Sequence, residues 1–444
     1  MFSMKNFKAL LLWVGILMLL NACNGANQNQ RDMVADKVTL TIIVSGNKAA
    51  VGEDFEIDIL PRMVHERFPN ITMNVLKLPD DQYYTTIKTK LAAGEGPDIF
   101  RVFPKIGWSG VVELSNAGFL ADLSDLSFIS QIDPGAVKDM SNKGKVYGIS
   151  QGIDVLGTYY NKSLFEQVGI KDEPRDWEGF LETCRRLKAA GITPIVMGDK
   201  DSWWTQFGIY QLAANTVYAE DREFDTRLLA GEDSFTDPMW VKAITMYKKL
   251  YDEGYIIHNS LGLSGIQATQ MFIDGKAAMV FDGTWDYPVL SARGAVDFER
   301  GFFPLPGNEK SKPVWQVIST ASGWGVNASS RNMEAVNQVL NYWFDQESEL
   351  FKTWVEFNPS ISAFEGVELK NRIFKESYER YQSGEKTIYF PNQVWPGGIT
   401  EILTMKLSEI IGQQGTTPMD VAEAMQKKLV EISGVNDTPQ GFVR

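Results

Sequence analysis

The stretch Val38-Thr-Leu-Thr-Ile-Ile-Val-Ser45 decides the fold class, because its β-branched residues predict a buried strand. A helical pattern follows, which Pro61 should kink or restart. Ile71–Leu76 predicts a second strand, the next helical pattern closes at Gly94, and Pro97–Phe103 predicts a third strand. Strands that alternate with helices in this way indicate an α/β fold with a largely parallel sheet.

The same alternation returns in the middle of the chain. Thr158–Asn161 ends a strand, Asp176 caps an amphipathic helix that Gly191 closes, and Thr193–Met197 predicts another strand. From about Phe344 onward the pattern is mostly helical. A chain of 444 residues is too long for a single core, so we expect two lobes.

The N-terminal region has the pattern of a secretory signal followed by a lipid-attachment site. Lys5 and Lys8 precede an apolar run of 12 residues, 9–20, which is too short to span a bilayer comfortably. The run ends in Leu20-Asn-Ala-Cys23, which resembles the lipobox of bacterial lipoproteins, where the cysteine is lipidated after cleavage. The alternative is an ordinary secretory peptide cut after Ala22. We therefore predict a signal peptide over 1–22 and a polar, flexible tether over 23–36.

Composition and motifs argue against several classes of function. A net charge of −13 is unsuited to nucleic acid. His65 and His258 are the chain's two histidines, and neither has a Cys or carboxylate nearby at metal-ligand spacing. The sequence also contains no Gly-x-Ser-x-Gly elbow, the motif that carries a serine nucleophile next to a catalytic histidine. No phosphate-binding or dinucleotide fingerprint occurs, and Cys184 reads as a buried small hydrophobe. We expect no metal, no cofactor and no enzyme activity, although a carboxylate pair for glycoside cleavage stays open among 56 acids.

The informative excess is aromatic. Several of the twelve tryptophans stand beside turn residues and carboxylates rather than within periodic apolar runs. Trp285 lies in Asp282-Gly-Thr-Trp-Asp286, and Trp324 lies between two glycines. Sugars need this combination, because their C–H faces stack on aromatic rings while their hydroxyls require polar partners. Packing in a core is the alternative for each ring.

Six segments together resemble one family, the extracellular solute-binding proteins of ATP-binding-cassette (ABC) sugar importers, which includes maltose-binding protein. The matching segments occur in family order across the chain. They are Gly94-Glu-Gly-Pro-Asp-Ile-Phe100, Tyr159-Tyr-Asn-Lys-Ser-Leu-Phe165-Glu-Gln-Val-Gly169, Pro174-Arg-Asp-Trp-Glu-Gly-Phe180, Met271-Phe-Ile-Asp-Gly-Lys-Ala-Ala-Met-Val-Phe-Asp-Gly-Thr-Trp285, Phe303-Pro-Leu-Pro306 and Gly323-Trp-Gly-Val-Asn327.

The resemblance implies a two-lobed α/β fold of the periplasmic-binding-protein type (type II-like), with a hinge between the lobes. Residues 37–153 plus 318–346 would form the N-terminal lobe, and 158–314 plus 350–444 the C-terminal lobe. Crossovers are expected near 151–159, 315–322 and 344–349.

The resemblance also implies ligand-binding residues. Trp285 matches a Gly-x-Trp position whose ring stacks on sugar, and Asp286 follows it. The other expected positions lie after the first strand, in the Gly-Pro-Asp segment, near a crossover, and at aromatic positions of both lobes. They are Asn47, Lys48, Asp98, Trp108, Asp154, Trp203, Trp204, Trp324 and Trp395.

The function that the resemblance implies is binding of a mono- or oligosaccharide by hinge closure and its delivery to ABC permease subunits. The protein is expected to be a monomer at the outer face of the cell membrane, anchored through lipid (palmitate) on Cys23, with no nucleic-acid partner. A secreted glycoside-active enzyme and a binding protein for a non-sugar solute remain as alternatives.

Overall fold

The computed structural model of the chain describes residues 36–46, 53–105, 110–291, 297–384 and 386–433. The predicted signal peptide and tether, Cys23, Asn47, Lys48 and Trp108 lie outside these ranges. Within them, no helix combines the length and hydropathy that crossing a membrane requires.

The described strands and helices alternate along most of the chain. The strands are β1 (Val38–Ser45), β2 (Ile71–Leu78), β3 (Ile99–Val102), β4 (Ser141–Asn142), β5 (Lys145–Val146), β6 (Ile149–Ser150), β7 (Ile153–Asn161), β8 (Thr193–Val196), β9 (Ala277–Gly283), β10 (Arg300–Phe303), β11 (Gln316–Thr320), β12 (Gly323–Val326) and β13 (Thr387–Tyr389). The α-helices are α1 (Leu60–Arg67), α2 (Asp80–Ala92), α3 (Val111–Asn116), α4 (Pro134–Asp139), α5 (Lys162–Gln167), α6 (Trp177–Ala189), α7 (Gln206–Glu220), α8 (Phe224–Ala230), α9 (Pro238–Asp252), α10 (Gly265–Ile273), α11 (Tyr287–Leu290), α12 (Met333–Phe344), α13 (Glu349–Phe357), α14 (Lys375–Ser383), α15 (Ile399–Ile411) and α16 (Pro418–Ser433). Short 3₁₀ turns lie at Ser127–Gln131, Ser202–Thr205, Ser260–Gly262, Thr284–Asp286, Arg372–Phe374 and Pro391–Gln393.

Local sequence explains several element boundaries. Pro61 stands in the first turn of α1, where its missing N–H costs nothing, and a π-helical segment (Phe55–Ile59) precedes it. The side chain of Asp176 accepts a hydrogen bond from the backbone N–H of Gly179 and so caps α6, as its sequence predicts. These details agree with the predicted alternation of strand and helix.

Two sheets form the centres of two lobes. The first has the order β2-β1-β3-β12-β6, in which β1 runs parallel to β2 and β3 while β12 is antiparallel to its neighbours. The second has the order β13-β11-β7-β9-β8, with β10 paired to β7. All nine residues of β7 are buried, so this strand is the centre of the second lobe. The predicted α/β architecture with two lobes is confirmed, but the expected largely parallel sheet is corrected to mixed sheets, since β12 is antiparallel to β3 and β6, and β7 is antiparallel to β9, β10 and β11.

The hydrophobic cores place the lobe boundaries differently from the sequence in two regions. Residues 318–320, which we expected in the first lobe, belong to β11 and pair with β7 and β13 of the second sheet. Helix α13, which we expected in the second lobe, buries Leu350, Phe351 and Trp354 in the first core. Phe364 packs there too, so the chain leaves the first core later than residue 350.

Three crossover segments, Ser150–Ile153, Ala321–Ser322 and Asn358–Ile361, connect the lobes and bind one another. Ile153 and Ile361 exchange two backbone hydrogen bonds of 2.7 and 2.9 Å, and Ala321 donates to the carbonyl of Gly152 at 2.8 Å. Gly152 has φ +152°, and a Cβ there would lie 2.2 Å from the carbonyl oxygen of Ile361. Close approach of the first and third segments therefore requires glycine at this position.

Candidate functional site

Trp285 stands at the end of β9, in the turn Thr284–Asp286, with its ring partly exposed. A Cβ on Gly283 would lie 2.1 Å from that ring, so the preceding glycine lets the indole fold back over the strand end. The ring packs against Phe207 at 5.3 Å and Phe390 at 6.1 Å between centroids. The indole is thus supported from the sides while part of its surface stays open.

Trp203, Phe207, Trp285 and Phe390 form a continuous row, which we call the aromatic wall. Trp203 is 37% exposed and meets Phe207 edge-on at 5.4 Å. Phe390 directly follows β13, and its backbone N–H bonds the carbonyl of Ile318 at 3.0 Å. Phe207 is only 2% exposed and supports the other three rings, which are partly exposed and come from three separate parts of the second lobe.

Side-chain amides border the aromatic wall. Asn392 donates to Gln206 at 3.5 Å, and Gln393 donates to the hydroxyl of Ser319 at 2.7 Å. Among the described residues, the side-chain carbonyl oxygens of Asn392 and Gln393 have no hydrogen-bond partner although both atoms are buried. Both oxygens are enclosed by protein atoms, so a ligand hydroxyl can pair with them only after these side chains move.

The aromatic wall lies close to the hinge. The hydroxyl of Thr284, next to Trp285, donates to Asp154 of β7 at 2.9 Å. Tyr389, next to Phe390, receives the ammonium of Lys105 from the first lobe at 4.1 Å from its ring centroid. Thr284 and Tyr389, the sequence neighbours of Trp285 and Phe390, therefore contact the strand that follows the first crossover and the opposite lobe, respectively.

Asp154, which directly follows the first crossover segment, is hydrogen-bonded to the third. Both lone pairs of its Oδ1 are used as acceptors. That oxygen accepts from Thr284 and, at 2.6 Å, from the hydroxyl of Ser360 in the third crossover. Burial raises the pKa of Asp154 to about 6, against the opposing effect of these two hydroxyls. In this structure Asp154 braces the hinge.

Asp282 and Asp286 are two carboxyl residues on either side of Gly283, Thr284 and Trp285. Asp282 has no exposed surface, and Asp286 is partly exposed. Burial first, and then the neighbouring Asp286 carboxyl, raise the pKa of Asp282 well above its usual range. Burial also raises the pKa of Asp286.

Asp98 is a bracing residue of the first lobe. Its Oδ2 accepts from the backbone N–H and the hydroxyl of Thr41 at 2.7 and 2.9 Å. Its Oδ1 accepts from Ser330 at 2.6 Å and from Asn332 at 3.2 Å. All four bonds tie β1 to the loop before α12, so the prediction of a ligand contact is corrected to a structural role.

Three of the predicted tryptophans are packing residues, which corrects their assignment to the site. Trp204 is 2% exposed. Trp324 is 1% exposed, between the guanidinium of Arg101 at 4.0 Å and the ring of Trp343 at 4.7 Å. Trp395 donates from its indole nitrogen to Asp225 at 3.1 Å. Their partners come from distant parts of the sequence, so the flanking turn residues gave no sign of burial.

Sequence reasoning missed Phe207, Phe390 and the amides of Gln206, Asn392 and Gln393. Phe390 comes just before Pro391-Asn-Gln393, and an aromatic residue followed by proline and two amides was the available signal. Phe207 is the second residue of a helix that is buried continuously as far as Tyr218, so its pattern indicates burial, and the ring is 2% exposed.

Metal-binding groups and surface hollows among the described residues are the alternatives to a binding site at the aromatic wall. None of the His, Cys, Asp and Glu side chains of the described residues form a group of three that could hold a metal ion. One hollow of about 290 Å³ lies at Tyr251, His258 and Gln413, and another of about 520 Å³ lies at Arg67, Phe68 and Tyr342. Neither is lined by the aromatic wall.

This two-lobed architecture with three crossovers and a ring-lined surface beside the hinge is that of a solute-binding protein. Residues 56–349 match the sequence model of the family described as bacterial extracellular solute-binding protein, and the chain belongs to that family. The multiple sugar-binding protein of Streptococcus mutans is 24% identical over 331 residues, 73% of this chain and 74% of that protein.

Two further relatives are similar in sequence or in fold. The lipoprotein LipO of Bacillus subtilis is 25% identical over 278 residues, 58% of this chain and 51% of that protein. A solved structure described as a chitin oligosaccharide binding protein is 24% identical and superposes with a TM-score of 0.77, covering 90% of this chain and all of that one. The predicted solute-binding fold is therefore confirmed.

Proposed function

We propose that this protein binds a neutral saccharide between its lobes and presents it to the transmembrane subunits of an ABC importer. The observation that carries the proposal is the aromatic wall, in which buried Phe207 supports three partly exposed rings from three parts of the second lobe beside the hinge. A sugar's C–H face stacks on such rings, and the amides of Asn392 and Gln393 offer acceptors for its hydroxyls once these side chains move.

The length of the wall supports an oligosaccharide of at least two rings. Trp203 and Trp285 are linked through Phe207, with centroid separations of 5.4 and 5.3 Å, and Phe390 continues the row beyond Trp285 by 6.1 Å. A single pyranose would cover only part of this surface. The similarity to a solved structure described as a chitin oligosaccharide binding protein agrees with that size.

Binding would proceed by hinge closure. The crossover segments link the two sheets through a few hydrogen bonds, so the lobes can rotate about them with little change inside either core. A sugar that contacts both lobes stabilises the closed form by its differential affinity, and the permease reads the closed shape. No covalent step is needed, so the protein acts without catalysis.

The anchoring proposal is separate. Leu20-Asn-Ala-Cys23 would be cleaved before Cys23, whose lipid would hold the protein at the outer face of the cell membrane, as a monomer. Similarity to a protein named as a lipoprotein supports it. Labelled palmitate should enter the wild-type chain and not Cys23→Ser, and light scattering should give a monomer mass for the fragment 36–444.

The test of saccharide binding uses that fragment in a thermal-shift panel, followed by calorimetry. We expect a neutral di- to tetrasaccharide to raise the melting temperature and polyamines or peptides to leave it unchanged. Stabilisation by non-sugar solutes alone would contradict the proposal. Release of reducing sugar during incubation would favour the glycoside-active alternative, and normal sugar uptake in a deletion strain would favour a sensor over an importer subunit.

A further inference from the structure

Thr284, the residue before Trp285, has its hydroxyl fixed between two groups of β7. The residue has no exposed surface, and the hydroxyl donates to Oδ1 of Asp154 at 2.9 Å. The hydroxyl oxygen also accepts the backbone N–H of Val155 at 3.1 Å. Asp154 and Val155 are the second and third residues of β7, directly after the first crossover segment. Thr284 therefore ties the turn that carries Trp285 to the hinge end of this strand.

Gly283 is held to the same strand by another side chain. The hydroxyl of Tyr159 donates to the carbonyl of Gly283 at 2.9 Å, and Gly283 lies opposite Leu156 in the antiparallel pairing of β9 with β7. The indole of Trp285 folds back over Gly283, where any Cβ would meet it. Both residues that precede the indole are thus bonded to β7, so a shift at the hinge end of β7 shifts the ring as well.

Oδ1 of Asp154 connects Thr284 to the third crossover segment. It also accepts the hydroxyl of Ser360 at 2.6 Å. Ser360 is itself held in place, because its backbone N–H donates to the side-chain oxygen of Asn358 at 3.2 Å. Asn358 in turn donates to the carbonyl of Gln151 in the first crossover at 2.7 Å. Rotation of the lobes changes backbone angles in the crossovers, so a movement of Ser360 acts on the oxygen that also holds Thr284.

Thr284 and Asp154 lie too deep to act as sugar contacts, since their exposures are 0% and 7%. A stacking ring must be held within about 0.5 Å of its productive position, which requires support from residues behind it. We infer that Thr284 is a positioning residue that couples the hinge to the indole of Trp285. Through Asp154 and Ser360 it brings the ring into its stacking position as the lobes close. The inference rests on the proposed function and deepens it, because it names residues that control affinity without touching the sugar.

The first test compares two substitutions of Thr284 in the fragment 36–444, by calorimetry with the saccharide found in the panel. Thr284→Val keeps the shape of the side chain but removes the hydroxyl, whereas Thr284→Ser retains the hydroxyl. We expect Val to weaken binding at least about fivefold and Ser to stay within about twofold of wild type. Thr158→Val is the matched control and should leave affinity unchanged, because Thr158 is equally buried on β7 and its hydroxyl has no hydrogen-bond partner among the described residues. Equal losses in Thr284→Val and Thr284→Ser would assign the effect to packing and overturn the inference.

A double-mutant cycle of Thr284→Val with Ser360→Ala separates coupling from general destabilisation. Both substitutions act on the same oxygen of Asp154, so the loss of affinity in the double variant should be about threefold or more below the product of the two single losses. The cycle of Thr158→Val with Ser360→Ala should be multiplicative within about twofold, because the Thr158 hydroxyl shares no hydrogen bond with the described residues of the hinge. A multiplicative result in the Thr284 cycle would overturn the inference.

A measurement without sugar keeps this inference separate from the proposed function. Fluorine NMR of protein labelled with fluorotryptophan, assigned by comparison with Trp285→Phe, reports the surroundings of the Trp285 ring. Its resonance should shift or broaden in Thr284→Val and Ser360→Ala, and stay in place in the variants Thr284→Ser and Thr158→Val. An unchanged resonance in Thr284→Val would overturn the inference even if sugar binding is observed. Failure of every saccharide in the panel would overturn the proposed function, and the fluorine spectra would then decide whether Thr284 positions the ring.

Discussion

The hydroxyl of Ser360 donates a 2.6 Å hydrogen bond to Oδ1 of Asp154 and so joins the third crossover segment to the first. Asp154 is 7% exposed, and water has little access to replace a lost partner. The bond therefore contributes to the stability of the hinge and to the geometry on which closure depends.

Ser360→Ala should lower the free energy of unfolding by about 1–3 kcal/mol, because it removes a donor from a buried carboxyl. Urea denaturation followed by circular dichroism measures the change. Ser130→Ala, which removes an exposed hydroxyl bonded only to its own turn, is the control and should stay within about 0.5 kcal/mol of wild type. Equal losses of unfolding free energy in the two variants would show that the bond to Asp154 stabilises the protein no more than an exposed hydrogen bond does.

The free energy of unfolding should depend on pH because buried carboxyls titrate at a higher pH in the folded protein than in the unfolded chain. Burial raises the pKa of Asp199 to about 6, so between pH 4 and 6 the unfolded chain ionises this group while the folded protein keeps it neutral. The folded protein then binds more protons, and its stability falls as pH rises through this window. The fall for one such group is of order 3 kcal/mol.

The variant Asp199→Asn should not show this decrease in the free energy of unfolding between pH 4 and 6. Its unfolding free energy relative to wild type should increase from pH 4 to 6 and stay level above pH 6, in urea titrations at each pH. Asp122→Asn provides a control of opposite sign, because hydrogen bonds from Ser124 and Lys145 lower the pKa of Asp122 to about 2. That variant should lose relative stability as pH rises from 2 to 4. A pH-independent difference for Asp199→Asn would contradict the assignment.

Trp285→Ala should weaken saccharide binding by about 2 kcal/mol, or roughly thirtyfold in Kd, because it removes the stacking surface at the centre of the aromatic wall. Calorimetry with the best saccharide of the panel measures it. Trp177→Ala is the matched control, a partly buried tryptophan stacked on Phe180 in α6 and outside the wall. Unchanged affinity in Trp285→Ala would mean that the ring serves packing alone.

Sequence patterns predicted the fold well because strand and helix periodicity is local. Val38–Ser45 and the segments after it form the predicted elements, and Gly283 before Trp285 marked a ring at a strand end. Site membership depends on contacts between distant residues, which periodicity does not contain. Trp395 has a turn on its C-terminal side, yet its neighbours Phe235 and Trp240 arrive from more than 150 positions away.

The same distant contacts explain the misplaced lobe boundary. The apolar face of α13 is as suited to one core as to the other, and only its packing with Phe344 and Phe364 assigns it to the first lobe. The amides of Asn392 and Gln393 likewise resemble any surface pair in sequence. Their role depends on Ser319, which lies on β11, and on Phe390, which directly follows β13.

Trp395→Phe should therefore reduce stability and leave affinity unchanged. The substitution keeps the ring near Phe235 and Trp240 but removes the indole donor to Asp225, whose pKa burial raises to about 6. Tyr218 remains as a donor to that carboxyl, which limits the loss to about 1–3 kcal/mol. Urea denaturation and calorimetry on the same sample separate the two effects, and a tenfold loss of affinity with normal stability would return Trp395 to the binding site.

Lys105 and Tyr389 form a contact between the lobes that should favour closure before any sugar binds. The ammonium of Lys105 lies 4.1 Å from the Tyr389 ring centroid and 3.5 Å from the carboxylate of Asp139. Asp139 in turn accepts a 2.6 Å bond from Thr320 at the end of β11. Lys105 has φ 57°, an uncommon backbone conformation for lysine. A partly desolvated cation over an aromatic ring contributes about 1–2 kcal/mol.

Lys105→Gln should shift sugar-free protein towards open forms by up to about tenfold in population, because the closed form loses this contact and the open form loses nothing. Small-angle scattering should give a larger radius of gyration for the variant without sugar and the same radius as wild type when sugar is saturating. Lys145→Gln, which breaks an exposed ion pair with Asp122 within the first lobe, is the control and should leave both radii unchanged. Identical scattering of Lys105→Gln and wild type without sugar would mean that the contact forms only after closure and does not promote it.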